Sequence, residues 1–251
     1  RYTVGLNGGY SKNEIEFIDE VSGAPEWQLR EGKPLGAYLL YETDGVFYDQ
    51  SEIDANAVDY SQVTPQLRPG DLRLVDYDGN GKIDADDQVR QEDSFTPRLQ
   101  YGITLDMSYK NFDLSILFQG SQGGLTTLFN GEFGDWGNYY KYQHDNRWSI
   151  DNPSREHPRL ASRGDTWYTD GGYGNNTYNY GSTDYLRLKN IELGYTLPQD
   201  VFGQGFISNV RFYASGLNLL TFTEFDMSDP EIANRTYPLS KVWNLGVRIN
   251  F

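Results

Sequence analysis

Residues 76–87 read DYDGNGKIDADD, a run dense in short oxygen-bearing side chains. The spacing is that of a calcium loop. Asp76, Asp78 and Asn80 fall at positions 1, 3 and 5, Gly81 at the sharply turning position 6, Asp84 at 9 and Asp87 at 12. Lys82, at 7, would offer its backbone carbonyl, and Ile83, at 8, would point inward and anchor the loop. Ca²⁺ takes about six to eight hard oxygen ligands, and alternate carboxylates on a turning chain converge on one point. Asp87 is a departure, because EF-hands place a longer, bidentate Glu at position 12; Asp there is the dockerin variant. The same residues would also make Asx turns with no metal. Such loops occur in unrelated proteins, so the spacing specifies a ligand, Ca²⁺, and not a function.

Other reactive chemistry is sparse. His144 and His157 are the only histidines, and neither sits in an H-E-x-x-H run or beside a nucleophile motif. Both read as surface or packing residues. Carboxylates are plentiful enough for a glycosidase pair, but no spacing points to one. The chain therefore reads as no enzyme. It has no cysteine, hence no disulfide framework and no thiolate metal site. A formal net charge of −15 argues against nucleic-acid binding, which needs a basic stripe.

The elements that must carry these residues are strands. The 20 Tyr, 13 Phe and 27 Gly among 251 residues suit an all-β protein with long polar loops. Alternation of period two is strongest at 99–109, where Leu99, Tyr101, Ile103, Leu105, Met107 and Tyr109 share one face and Gln100, Gly102, Thr104, Asp106 and Ser108 the other. After a tight turn at Lys110–Asn111, Phe112, Leu114, Ile116 and Phe118 alternate with Asp113, Ser115, Leu117 and Gln119. Trp243, Leu245, Val247, Ile249 and Phe251 repeat the pattern. Residues 2–10, 36–48 and 209–220 also read as strands, the second bent at Gly45. In 184–197, Leu186 and Leu188 are out of phase with Ile191, Leu193 and Tyr195, which a bulge near Asn190 would reconcile.

Roughly seven strands of about nine or more residues result, the length that crosses a bilayer at a tilt. Soluble strands average only about five or six. No run of about 18 apolar residues exists, so no transmembrane helix is expected. The connections alternate. The turn at 110 and residues 197–208 are short, whereas 49–97 and 121–183 are long. The second carries Trp136, Tyr139, Tyr140, Tyr142, Trp148, Trp167, Tyr168, Tyr173, Tyr178 and Tyr180. Short turns on one side and long loops on the other are the asymmetry of an outer-membrane barrel, with an apolar, aromatic-edged face toward lipid and a small, polar face toward the lumen. The competing architecture is a soluble sandwich whose apolar faces pack inward. The chain opens RYTVGLNGGY, already in strand alternation and without a signal peptide, as a piece of a longer polypeptide would.

Five stretches add a resemblance: PGDLRLVDYDGNGKIDADDQV (69–89), TPRLQYGITLDMSYKNFDLSILFQG (96–120), NRWSIDNPSREHPRL (146–160), DYLRLKNIELGYTLP (184–198) and YPLSKVWNLGVRINF (237–251). In this order they resemble the C-terminal part of SusC/RagA-type TonB-dependent transporters of the Bacteroidetes outer membrane, as does 32–54. The resemblance covers nearly the whole chain. It implies an all-β antiparallel segment, roughly seven C-terminal strands of a barrel of about 22. Residues 1–251 would be barrel, with the plug and the TonB-contacting part elsewhere in the polypeptide. The loops 49–97, 121–183 and 221–240 would lie outside the cell, and the 76–87 loop would be a weak extracellular calcium site.

The function so implied is TonB-dependent import of oligosaccharide or peptide across the outer membrane. The implied partners are a SusD-like surface lipoprotein, TonB and membrane lipid. Arg147 and Trp148 match the family pattern and read as loop architecture. The alternative is a soluble, calcium-stabilised β-rich module that binds carbohydrate or protein.

Overall fold

A computed structural model describes residues 1–128, 141–161, 175–201, 206–225, 229–232 and 239–251. Its strands are β1 (Tyr2–Tyr10), β2 (Leu39–Tyr41), β3 (Thr43–Val46), β4 (Leu72–Leu74), β5 (Gln88–Arg90), β6 (Leu99–Tyr109), β7 (Phe112–Gln122), β8 (Leu125–Thr127), β9 (Tyr180–Ser182), β10 (Tyr185–Thr196), β11 (Asn209–Phe222) and β12 (Val242–Asn250). No helix of the described residues is long and apolar enough to cross a membrane. The chain divides into two compact units. One comprises Arg1–Ser11, Thr96–Gly124 and Ser182–Phe251, the other Lys12–Phe95 and Leu125–Gly181.

The first unit is one antiparallel six-stranded sheet in the order β1-β6-β7-β10-β11-β12, so each long strand lies beside the next long strand in sequence. Register aligns the alternating residues into rows. Val4, Leu105, Ile116, Ile191, Gly216 and Trp243 stand opposite one another across all six strands. Beside them run Tyr2, Met107, Leu114, Leu193, Ala214 and Leu245. The next row, on the other face, is Thr3, Asp106, Ser115, Glu192, Ser215 and Asn244. The apolar face is open: Val4, Leu193, Phe212, Trp243 and Leu245 are all exposed, Leu245 at 89%. A sandwich would have packed this face against a second sheet.

The bulge anticipated near Asn190 is present. Leu188 pairs with Phe118 but Asn190 with Leu117, so β10 carries one extra residue there. β11 carries its own extra residue against β10, with Asn218 at φ 53°. The bulge returns Ile191, Leu193 and Tyr195 to the face of Leu186 and Leu188, which keeps the apolar side unbroken. Lys110, at φ 53°, helps close the two-residue β6–β7 turn. Next to that turn Tyr109, Phe112, Tyr195 and Phe212 lie side by side on the apolar face, the Phe112 and Tyr195 rings 4.7 Å apart. This is the aromatic edge expected of a barrel girdle.

Residues 36–48 are a correction. They form no seventh sheet strand. They break into β2 and β3, which pair with β5 and β4 in the second unit. Leu39, Leu40 and Tyr41 are consecutive rather than alternating apolar residues, and the turn at Gly45 (φ 81°) ends any long run. The connection between β1 and β6 therefore begins after Tyr10, well before residue 49. In the second unit Tyr41, Val46, Phe47, Tyr60, Val63, Leu72, Leu74 and Ile83 form one buried cluster. Tyr60 Oη donates to the Leu74 carbonyl (3.1 Å) and accepts from the Leu74 N–H (3.0 Å), which fixes β4 on that cluster. Burial pushes the Tyr60 hydroxyl up to about 12. Asp71, fully buried, accepts from Arg159 Nε (2.6 Å) and from the Arg68 N–H (2.8 Å).

Candidate metal centre

The Asp-rich loop grows out of this second-unit core. Ile83 is fully buried within the cluster, as its place in the loop requires. The Asp59 N–H donates to the Gly81 carbonyl (2.9 Å) and the Ile83 N–H to the Asp59 carbonyl (2.7 Å), so Asp59 holds the loop's middle. Gly81 has φ 86°, the left-handed backbone that position 6 demands and a side chain resists.

Within the loop the side chains cap backbone N–H groups. Asp76 accepts from Asn80 (3.1 Å) and Gly81 (2.9 Å), and Asp78 from Asn80 (2.9 Å). Asn80 Oδ1 accepts from the Lys82 N–H (2.9 Å). Asp87, fully buried, accepts from Tyr77 (2.7 Å) and Asp84 (2.8 Å). Asp76, Asp78 and Asp87 converge, each with a carboxylate oxygen within 4.8 Å of the others. A small adjustment of the three side chains would bring these oxygens onto one Ca²⁺ at about 2.4 Å. Asp84 stands apart from this trio. One of its oxygens caps the Asp86 N–H (2.9 Å) and the other pairs with the Lys82 ammonium. Lys82 holds the Asp84 carboxyl below the usual range, whereas burial pushes the Asp87 carboxyl up despite its backbone donors. Among the described residues Asp87 is thus a buried carboxylate whose charge is compensated by N–H dipoles alone, the kind of group a cation relieves.

Two contributions were not legible from spacing. Trp27 Nε1 donates to the Asp86 carbonyl (2.7 Å) and Gln28 Nε2 to the Ala85 carbonyl (2.6 Å), clamping the loop's exit. Nothing local in sequence links residues 27 and 86. Of the loop aromatics, Trp148 donates Nε1 to the Tyr48 carbonyl (2.9 Å) and packs on the core, while Tyr180 packs on Tyr38 at 4.6 Å. Trp136, Tyr139, Tyr140, Trp167, Tyr168 and Tyr173 lie outside the described residues. His157 hydrogen-bonds Tyr178 Oη (3.0 Å) and meets the Tyr142 ring edge-on, and His144 is exposed beside Asp145.

Comparison with known proteins gives the context. The chain is 32% identical over 242 residues to TonB-dependent receptor P3 of Formosa agariphila, a match that covers 89% of this chain and 23% of that protein. It is 29% identical over 252 residues to receptor P26 of the same organism, covering 93% and 24%. Among solved structures, the RagAB peptide transporter matches the whole chain at a TM-score of 0.67 with 24% identity, over 27% of that chain. The "closed-closed" state of the RagAB peptide importer matches at 0.65 with 25% identity. The fold and sequence are those of a C-terminal, SusC/RagA-like portion of a TonB-dependent receptor. No protein-family model matches the chain. It spans about a quarter of the length of these receptors. In a receptor of this kind the six-stranded sheet is a stretch of barrel wall, and the Asp loop belongs to the insertions between its strands.

Proposed function

We infer that this chain is part of the wall of an outer-membrane importer. The observation that carries this reading is the apolar face, whose rows cross all six strands opposite a polar face and leave Val4, Ile103, Leu193, Phe212, Trp243 and Leu245 exposed. Water does not tolerate so large an exposed apolar surface, and hydrocarbon does. A soluble calcium-stabilised module would have to bury it. The whole receptor takes up oligosaccharide or peptide, draws energy from TonB through a part of the polypeptide outside this chain, and works with a SusD-like surface lipoprotein. The likeness to a peptide importer supports this. Affinity purification of the full-length receptor from detergent-extracted outer membrane should bring down a surface lipoprotein. Recovery of the protein in the soluble fraction would overturn the reading.

Within that assembly the 76–87 loop holds Ca²⁺ through Asp76, Asp78 and Asp87, with Asn80 and the Lys82 carbonyl beside them and Asp84, at position 9, reaching the ion through a water. The ion would supply the positive charge that buried Asp87 lacks and tie the loop to the Ile83 core. Ca²⁺ at about 100 times its Kd would stabilise the second unit by about 2.7 kcal/mol. Replacing Asp76 and Asp78 by Ala is expected to abolish a Ca²⁺-dependent gain in protease resistance across residues 49–97. Identical protection in parent and variant would rule the metal out.

A further inference from the structure

The Asp-rich loop ends in a 3₁₀ turn, Ala85–Asp87, whose last residue is the buried Asp87. Carbonyls at the end of such a turn are left to outside donors. Trp27 and Gln28 supply them, at the Asp86 and Ala85 carbonyls. The Trp27 ring also lies 5.2 Å from the ring of Tyr77, at loop position 2. Just past the turn, Arg90 of β5 donates Nε (3.3 Å) and Nη2 (3.2 Å) to the Gln28 carbonyl, and Nη1 (3.1 Å) to that of Ala37. Residues 26–28 are thus fastened to the loop's exit.

The segment so fastened has no core of its own. No residue from Lys12 to Lys33 is buried, and Phe17 is 81% exposed. The segment is pinned to itself at two places. The Ile15 N–H donates to the Lys33 carbonyl (3.0 Å) and the Gly32 N–H to the Ile15 carbonyl (2.9 Å), and Glu20 caps the N–H groups of Arg30 (2.6 Å) and Glu31 (3.0 Å). A segment that buries so little takes its order from what holds it. Here the holder is the turn that carries Asp87. A cation that draws Asp76, Asp78 and Asp87 together also fixes the carbonyls that Trp27 and Gln28 reach. The two donors then meet acceptors already in place.

We propose that Ca²⁺ in the 76–87 loop controls the order of residues 12–37 through Trp27 and Gln28. These two are positioning residues: they hold the turn that presents Asp87 and are not ligands themselves. Such coupling is reciprocal, so breaking the strap weakens Ca²⁺ binding by the factor by which Ca²⁺ tightens the strap. The β1–β6 connection then keeps its shape only where external Ca²⁺ is sufficient. The inference rests on the calcium reading above and names what the ion regulates.

The test is a Ca²⁺ titration of the full-length receptor in detergent, read by limited trypsin digestion and mass spectrometry of the fragments. Two signals are followed: cleavage after the exposed Arg30, and cleavage within residues 49–97. In the parent, Ca²⁺ should slow cleavage after Arg30 by about fivefold or more. Trp27→Phe with Gln28→Leu, which keeps bulk but removes both donors, should abolish that gain. The same pair should raise the Ca²⁺ concentration that half-protects 49–97 by about fivefold or more, although neither residue is a ligand. Phe17→Ser, in the same segment but away from the turn, should leave that midpoint unchanged. If the double variant does not reach the outer membrane, Gln28→Leu alone decides, with a midpoint shifted in the same direction. A parent in which Ca²⁺ protects 49–97 but leaves Arg30 cleavage unmoved overturns the coupling while the calcium site stands. So does a donor-free variant with the parent's midpoint. A parent in which Ca²⁺ protects neither segment removes the calcium reading and this inference with it.

Discussion

Replacing Arg187 by methionine is expected to destabilise the sheet by about 3–5 kcal/mol, the cost of breaking a buried ion pair from one side. The Arg187 side chain is only 2% exposed. It donates Nη2 to Asp229 (2.7 Å), Nη1 to Glu231 (2.8 Å) and Nε to Thr221 Oγ1 (3.0 Å). Glu231 keeps Lys189 as a partner when Arg187 is lost, but among the described residues the Asp229 side chain, 9% exposed, keeps only backbone donors. The double change Arg187→Met with Asp229→Asn should therefore recover a substantial part of the loss, while Asp229→Asn alone is milder than Arg187→Met. Urea midpoints of the full-length receptor in detergent micelles measure all three. A loss below about 1 kcal/mol for Arg187→Met would mean that this network contributes no more than a surface pair.

Leu105→Arg should cost about 2–4 kcal/mol, as a cation does on the lipid face near the bilayer midplane, while Thr104→Arg should be far better tolerated. The two positions are adjacent in sequence and opposite in orientation. Leu105 sits in the row of Val4, Ile116 and Ile191. Thr104 faces the other way, donating Oγ1 to the Gly5 carbonyl (3.3 Å) beside a residue with no side chain. An arginine there gains water and neighbouring polar groups; one at 105 has neither. Outer-membrane abundance and unfolding midpoint of the two variants read the difference, and equal effects would mean the faces are misassigned.

The sheet was legible because its signal is local. Strict alternation in 99–109 and 112–118 fixes both strands, their turn and their faces, and the phase change at Leu188–Ile191 announces its own bulge. The Asp loop was legible for the same reason, down to Gly81 and the buried Ile83. What the sequence hid depends on partners far along the chain. Residues 36–48 look like one strand until their pairing with 72–74 and 88–90 is known. The Lys82 ammonium and Asp84 take each other as an ion pair, a contact that the loop spacing does not announce. Arg187 reads as one polar residue of a strand, and its role depends on acids more than forty residues away.

That one face of this sheet meets lipid can be tested residue by residue. These 251 residues contain no cysteine, so once any cysteine elsewhere in the full-length receptor is replaced, single cysteines introduced along β6 report individually. The decisive measurement places cysteine in turn at Ile103, Thr104, Leu105, Asp106, Met107 and Ser108 of the full-length receptor in membranes. Each site is then assayed for reaction with a water-soluble maleimide and, through a fluorophore, for quenching by nitroxide lipids. Quenching without aqueous labelling is expected at 103, 105 and 107, and the reverse at 104, 106 and 108. Aqueous labelling at all six sites, or the opposite parity, would contradict it.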